Sequence, residues 1–327
     1  MQAQDIYFDE NYGKLYEHIE HGTMEIFSYE CEDGGKISNQ FIKREIPITI
    51  ADEKYYDIVT PYGYGGPIIV EHSKDDKKLV KAYEESFKTY AEKKHIVSEF
   101  VRFHPVINNA QDFKEVYHPA YMRKTLGTNL NYDDPVASDF SKSCRKTIRQ
   151  VLKSGVSYEI VQNPEDFTDF KRVYYSNMDR KNATDYYYFG DEYFELIKKY
   201  FKDKVILVKA IYEDKVIAAG LYFIYNKKIH IHLSGTDTEY LHLSPAYILK
   251  YATAIWGKEN GYQTIHYGGG LTNSPEDTLY LFKRKFAQTT DFDFYIGKKI
   301  WNEAIYGKLC EIKQVEKDGE FFPAYRK

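Results

Sequence analysis

Apolar residues along this chain alternate between two spacings, and the switches between them predict most of the elements. Residues 73–95, SKDDKKLVKAYEESFKTYAEKKH, place Leu79, Val80, Tyr83, Phe87 and Tyr90 at helical spacing. Before them, residues 41–70 hold two β-rich runs closed by glycine and proline. After them IVSEFVRF, 96–103, predicts a short strand, and 104–135 is punctuated by proline, asparagine and glycine with room for one more. The run ASDFSKSCRKTIRQVLK from Ala137 to Lys153 predicts one helix, with Ser138 or Ser141 as cap and Gly155 as stop.

The second half reads strand, helix, helix, then three strands, VILVKAIYE, VIAAGLYFIY and IHIHLSGT, separated by short turns. A helix over 244–261 follows, opened by Ser244 and Pro245 and stopped by Gly261. Strand YQTIHY, three glycines, a helix over 276–286, one more strand and one more helix complete the chain. This order suits a mixed α/β (α+β) domain, and the first half looks like a looser version of it. YYDIVTPYGYGGPI and YQTIHYGGGLTNSP both run from a strand into Tyr-Gly-Gly, a weak sign of duplication. A length of 327 residues also favours two domains.

Composition narrows the function classes. Forty-five basic against 49 acidic side chains, net −4, give no global field for a polyanion such as DNA, but they permit a local basic site. Such a site is present in the 137–153 run, where Lys142, Arg145, Lys146, Arg149 and Lys153 recur three or four residues apart. Phe140, Cys144, Ile148, Val151 and Leu152 take the other side. Three cysteines far apart do not make a disulfide framework and fit a reducing cytosol. The N-terminal stretch lacks signal-peptide character, and no apolar run is long enough to span a bilayer. A cytoplasmic, monomeric protein is expected, with proximity to a membrane-attached substrate left open.

Candidate chemistry gathers in IHYGGGLTNSPEDTLYLFKRKF, 265–286. Gly268, Gly269 and Gly270 let backbone approach a ligand or turn tightly. Ser274 and Asp277 are candidate caps for a helix with Leu279, Phe282 and Phe286 on one side and Lys283, Arg284 and Lys285 around the rest. One of those cations can meet an anionic donor or a developing oxyanion, and spacing does not choose among them. No phosphate-loop or dinucleotide fingerprint is present. His230, His232 and His242 lack the further ligand that zinc wants, so no metal is expected. Cys144, among apolar neighbours, reads as packing and not as a nucleophile.

Together the runs Ser234-Gly235, Ser244-Pro245-Ala246, His266-Tyr267-Gly268-Gly269-Gly270, Asp277, Leu281-Phe282-Lys283 and Phe286 resemble the Fem-type branch of the GNAT acyltransferase superfamily. Upstream, Lys142 to Arg149 looks like that family's interdomain helix, Met178-Asp179-Arg180-Lys181-Asn182-Ala183 with Tyr187 and Tyr188 like another of its stretches, and Tyr62 to Pro67 like a thinner match in the first half. The resemblance implies tandem GNAT-like domains with central mixed sheets flanked by helices, a degenerate one over 1–137 and a catalytic one over 138–327. It implies Lys283 at the reacting end of the substrates, with Arg180 and Tyr267 beside it. Tyr64, Tyr187, Tyr188, Arg145 and Arg149 are then expected to bind substrate, and Gly268, Gly269, Gly270 and Arg284 the donor.

The expected reaction is N-acyl transfer from acyl-CoA to an amine of a small or lipid-linked cell-envelope precursor. The alternative donor is aminoacyl-tRNA, as in peptidoglycan cross-bridge synthesis, and a non-catalytic precursor-binding protein is the rival class. Two departures from the family are visible: there is no room for a helical-hairpin arm, and no Arg/Gln-x-x-Gly-x-Gly/Ala pyrophosphate loop. Direct attack of an amine on an aligned ester or thioester needs no covalent residue, so the lack of a nucleophile-base pair is compatible with this chemistry.

Overall fold

A computed structural model describes residues 4–327. They form two compact units, Met1–Arg123 with Asp293–Lys327, and Lys124–Phe292. The final strand and helix therefore sit with the first unit, where the 138–327 partition had placed them in the second. The strands are β1 (Thr23–Glu30), β2 (Lys36–Glu45), β3 (Tyr56–Val59), β4 (Ile68–Glu71), β5 (Ile96–Arg102), β6 (Ala120–Asn129), β7 (Ser157–Gln162), β8 (Val205–Tyr212), β9 (Lys215–Tyr225), β10 (Lys228–Thr236), β11 (Thr264–Gly268) and β12 (Asp291–Ile300).

In the first unit the sheet runs β1-β2-β3-β5-β12, with β4 also on β2. Only β3 and β5 are parallel, and the helix Asp76–Lys93 lies between them in sequence. Asp75 caps that helix by accepting from the Lys77 and Lys78 amides. Its Leu79, Val80, Tyr83 and Phe87 are buried against Phe41, Ile96 and Trp301, as the spacing predicts. Buried Glu99 accepts from Asn39 Nδ2, Tyr117 hydroxyl and Trp301 Nε1 at 2.9–3.0 Å. Burial raises its pKa above the ordinary carboxylate value, although these three donors pull it down.

The second unit has the order β6-β11-β10-β9-β8-β7. β7, β8, β9 and β10 form an antiparallel run. Its two-residue turns put Glu213-Asp214 and Asn226-Lys227 at positive φ, the conformation that type I′ hairpins require. The helix Ala246–Glu259 then crosses over to β11, which pairs parallel with β10. That parallel pairing stops after Lys228↔Thr264, Ile229↔Ile265 and His230↔His266. Beyond it β11 stays with β6 through a bulge between His266 and Gly268. β10 continues beside β9, where Gly235 lies so close to the helix Thr168–Arg180 that a Cβ would come within 2.6 Å of Val173 O.

The 137–153 run is not one helix. A short turn, Pro135–Asp139, gives way to extended backbone at Phe140, and the helix Lys142–Lys153 restarts with Ser141 accepting from the Cys144 amide. Two strands are longer or newer than the pattern predicts. β1 was not recognised, because exposed and half-buried residues dominate it, and β6 is a full ten-residue strand in place of a short one. The apparent Tyr-Gly-Gly duplication also fails positionally. Gly63, Gly65 and Gly66 precede the first unit's crossover helix, whereas Gly268–Gly270 follow the second's.

Asp139 fastens the second unit's corner. Fully buried, it accepts from Asn129 N (2.9 Å), Thr289 N (2.8 Å), Thr289 Oγ1 and Thr290 Oγ1 (both 3.0 Å). Asp139→Ala would strand these donors, and we expect urea denaturation to show a loss of about 2–4 kcal/mol. A change below about 0.5 kcal/mol would show that water or relaxation replaces the carboxylate.

Candidate active site

Where β11 leaves β10, the chain makes its glycine turn. Gly268 takes φ +71°, which L side chains disfavour, and ends the strand. Gly270 is needed for space, since a Cβ there would lie 2.6 Å from Asp277 Oδ1. Asp277 in turn accepts from Tyr280 N (2.8 Å), which caps the helix Thr278–Arg284, and from Thr272 N (2.7 Å), which folds the turn back. These bonds, the Tyr280 amide foremost, hold the carboxyl down at about 2. Of the two candidate caps, Asp277 is the one used.

From that helix Lys283 reaches back and donates to Gly269 O at 2.7 Å. A lysine ammonium carries three N–H donors, and this bond fixes where its charge sits against the glycine turn. Phe282 and Phe286 anchor the helix by edge contacts to each other and to Tyr247, with centroids 5.3 Å apart in each pair. Leu279 is only half-buried. The neighbouring cations are otherwise engaged: Arg284 pairs with Asp291 at 3.3 Å, and Lys285 donates to Tyr247 hydroxyl at 2.9 Å. The expected donor-binding role of Arg284 therefore competes with an existing ion pair.

Tyr267 does not offer its hydroxyl to a substrate. Its side chain is buried, and its phenol meets Thr128 Oγ1, which gives its own proton to Phe286 O at 2.7 Å. Burial raises the phenol's pKa well above the ordinary value, so it stays protonated near neutrality. What Tyr267 contributes is a ring face, to a group that the sequence pattern had not singled out. Lys250, on the crossover helix, is 6% exposed and lies 5.0, 5.5 and 5.8 Å from the centroids of Phe282, Phe286 and Tyr267. Burial lowers its pKa to about 8.

Arg180 ends the helix Thr168–Arg180 and donates to Asn177 Oδ1 at 2.8 Å. The segment after it is strapped to that helix: Tyr174 hydroxyl donates to Tyr187 O, Tyr175 to Phe189 O, and Tyr188 hydroxyl to Asp179. Tyr187 and Tyr188 thus stay about one-third exposed. Arg180 acts electrostatically on Lys181, and Lys181 on Lys250. Tyr64 belongs to the first unit, edge-on to Tyr7, His104 and Phe294.

On the basic helix, Arg145 is turned inward to Ala137 O and Phe140 O, closing the break before Ser141. Those bonds compete with the substrate contact expected of Arg145, whereas Arg149 is exposed. Lys142, Lys146, Arg149 and Lys153 stay exposed on one stripe, at spacings that align them along the helix. Burial pushes the Cys144 thiol up to about 12, which suits packing. His232 faces Tyr193, hydroxyl to Nε2, and burial followed by His230 lowers its pKa to about 3. It is a neutral packing residue.

Residues 138–284 match the acetyltransferase (GNAT) domain family. They are a GNAT acyltransferase domain. No curated protein matches the sequence. Among solved structures the chain resembles FemX, with 14% identity, 93% of each chain covered and a TM-score of 0.67. It also resembles the C-terminal domain of an Agrobacterium fabrum protein assigned as a lysylphosphatidylglycerol synthetase, with 12% identity, 94% of this chain and 92% of that one covered, and a TM-score of 0.57. A third similar structure is a tandem GNAT protein of the clavulanic acid pathway, with 9% identity, coverage of 89% and 96%, and a TM-score of 0.50. These likenesses show the fold, and the GNAT domain implies an enzyme that uses an activated acyl donor. No helix among the described residues is long and apolar enough to cross a membrane.

Asp277→Ala should cost about 1–2 kcal/mol through the lost cap, and Gly270→Ala should act in the same direction by displacing the carboxylate. Because Asp277 titrates below its ordinary value, its contribution is complete above about pH 4. It is lost as pH falls through about 2. Amide exchange at Tyr280 reads this directly: faster exchange in both variants is expected, and unchanged exchange contradicts the cap.

Proposed function

We propose that the chain is an aminoacyltransferase, moving an aminoacyl group from an aminoacyl-tRNA ester to an amine of a cell-envelope precursor in the cytoplasm. The observation that carries the donor class is the exposed stripe Lys142, Lys146, Arg149 and Lys153 on the GNAT domain's own first helix, which has no ion-pair partner among the described residues. Four cations at phosphate-tracking spacing suit a nucleic-acid backbone better than a single pyrophosphate. Likeness to FemX and to a protein assigned as a lysylphosphatidylglycerol synthetase supports the same reading, which reverses the order in which the sequence placed acyl-CoA ahead of aminoacyl-tRNA. The first unit is proposed as a second, GNAT-like fold, since its parallel β3 and β5 also flank a crossover helix.

The transfer needs three things from the protein: alignment, removal of a proton from the attacking amine and a place for the oxyanion. Lys283 supplies the last, its charge pinned at Gly269 O beside the turn. Arg180 positions an anionic part of donor or acceptor, and the exposed Tyr187 and Tyr188 rings give stacking area. Arg149 contacts donor phosphate, and the glycine turn admits the ester.

Incubation with charged transfer RNAs and, separately, acetyl-CoA over envelope-precursor amines tests the reading. Aminoacyl product is expected, reduced about 10²- to 10³-fold in Lys283→Ala with an unchanged melting temperature. Lys146→Ala with Arg149→Ala should raise KM for aminoacyl-tRNA and flatten its salt dependence by about two phosphate contacts. Transfer from acetyl-CoA alone would return the donor to acyl-CoA. No transfer from either, with tight precursor binding, would leave a non-catalytic binding protein.

A further inference from the structure

Lys250 is unusual on physical grounds. A nearly buried ammonium is costly unless something anionic pairs with it. Among the described residues Lys250 makes no hydrogen bond and no ion pair; its recorded contacts are the faces of Phe282, Phe286 and Tyr267. The groups that act on it are few. Cys144 faces it from the basic helix, as a thiol kept neutral by burial. Lys181 faces it from the end of the helix Thr168–Arg180 as a second cation, and burial lowers the pKa of that amine too. Tyr267 offers a ring whose phenol is already bonded to Thr128. Lys285, which also acts on Cys144, is bonded to Tyr247. No carboxylate is among the groups acting on Lys250.

Its place in the fold gives this side chain a use. Tyr267 is the first β11 residue beyond the last β10–β11 pair, and Gly269, which holds Lys283, is two residues further on. Phe282, whose ring the Lys250 amine faces at 5.0 Å, is the chain neighbour of Lys283. An apolar surround favours the neutral amine at rest, while ring faces can hold the ammonium once a proton arrives. That combination is what a proton acceptor needs, while Asp277 is committed to the cap and Cys144 to packing.

We propose that the Lys250 amine is the proton acceptor of the transfer reaction. This rests on the acyl-transfer reading above. The acceptor nitrogen's lone pair forms the N–C bond, and the ester C–O bond breaks with its electron pair leaving on oxygen. The proton shed by the nitrogen passes to Lys250 Nζ and from there to the leaving oxygen. Lys283 holds the oxyanion in between. The two lysines thus divide the work by environment, one charged against a carbonyl and one neutral among rings.

Two measurements on the full-length protein test this. In a protein with 13C-labelled lysine, the Lys250 resonance, identified by its absence in Lys250→Met, should titrate near pH 8; a midpoint above about 10, the ordinary lysine value, overturns the proposal. In the transfer assay, wild-type kcat/KM should rise with pH through the same midpoint. Lys250→Met should lose about 10²- to 10⁴-fold and that limb of the profile, with a melting temperature equal to or above wild type. Lys250→Arg should not rescue, because a guanidinium stays protonated. Rescue by arginine would make Lys250 an anion clamp, and an unchanged rate and profile in Lys250→Met would make it structural; either result overturns the proposal. Wild-type protein without transfer from any donor overturns the reaction itself, and the wild-type arm separates that failure from the others.

Discussion

The parting of β10 and β11 after His230 and His266 is the constraint on which the second unit's chemistry depends. Parallel strands give their backbone groups to one another for as long as they stay in register. Here the outer edges stay paired: β11 continues on β6 through its bulge, and β10 continues on β9 with Gly235 against the helix Thr168–Arg180. Beyond the parting each strand keeps one paired edge and turns the other edge, with its backbone groups, toward the gap. The glycine turn follows directly on β11, and Tyr267, whose ring faces Lys250, is the residue just before it.

Carboxylates and cations are sorted around this point. Asp139 and Asp277 are consumed by backbone amides and hydroxyls, where they hold the corner and the turn. Lys283 is held at Gly269 O, and Lys250 has Lys181 but no acidic residue acting on it. A site of this kind favours charge developing on oxygen and disfavours an already protonated amine. It therefore suits direct attack on an activated acyl carbon, without a covalent intermediate on the protein.

Much of this was legible in the chain. Periodicity located the long helices and the antiparallel run β8–β10, because one face of each is buried and leaves a clean repeat. It missed β1, whose half-exposed face blurs the alternation, and it merged two helices across Phe140, where the break is made by the Ser141 cap and the Arg145 side chain. The glycine turn was readable from sequence, since glycines beside a capped helix are a local pattern, whereas spacing alone did not choose Lys283 among its neighbouring cations and the choice came from the family resemblance. Lys250 was not. A lysine in the interior of a helix reads as solvent-facing, and only the tertiary arrangement of Phe282, Phe286 and Tyr267 shows that it is enclosed. The hydroxyl of Tyr267 and the pairing of Arg284 with Asp291 were hidden for the same reason, because their partners lie on other elements.

The central claim is that acyl transfer occurs where β11 leaves β10, with Lys283 at the oxyanion. The most direct measurement is a crystal structure with a non-reactive amide analogue of an aminoacylated adenosine. The account predicts its acyl carbonyl beside the turn 268–270, within about 3 Å of Lys283 Nζ. An acyl carbonyl bound elsewhere, with Lys283 still closed on Gly269 O and no contact to it, would contradict the account.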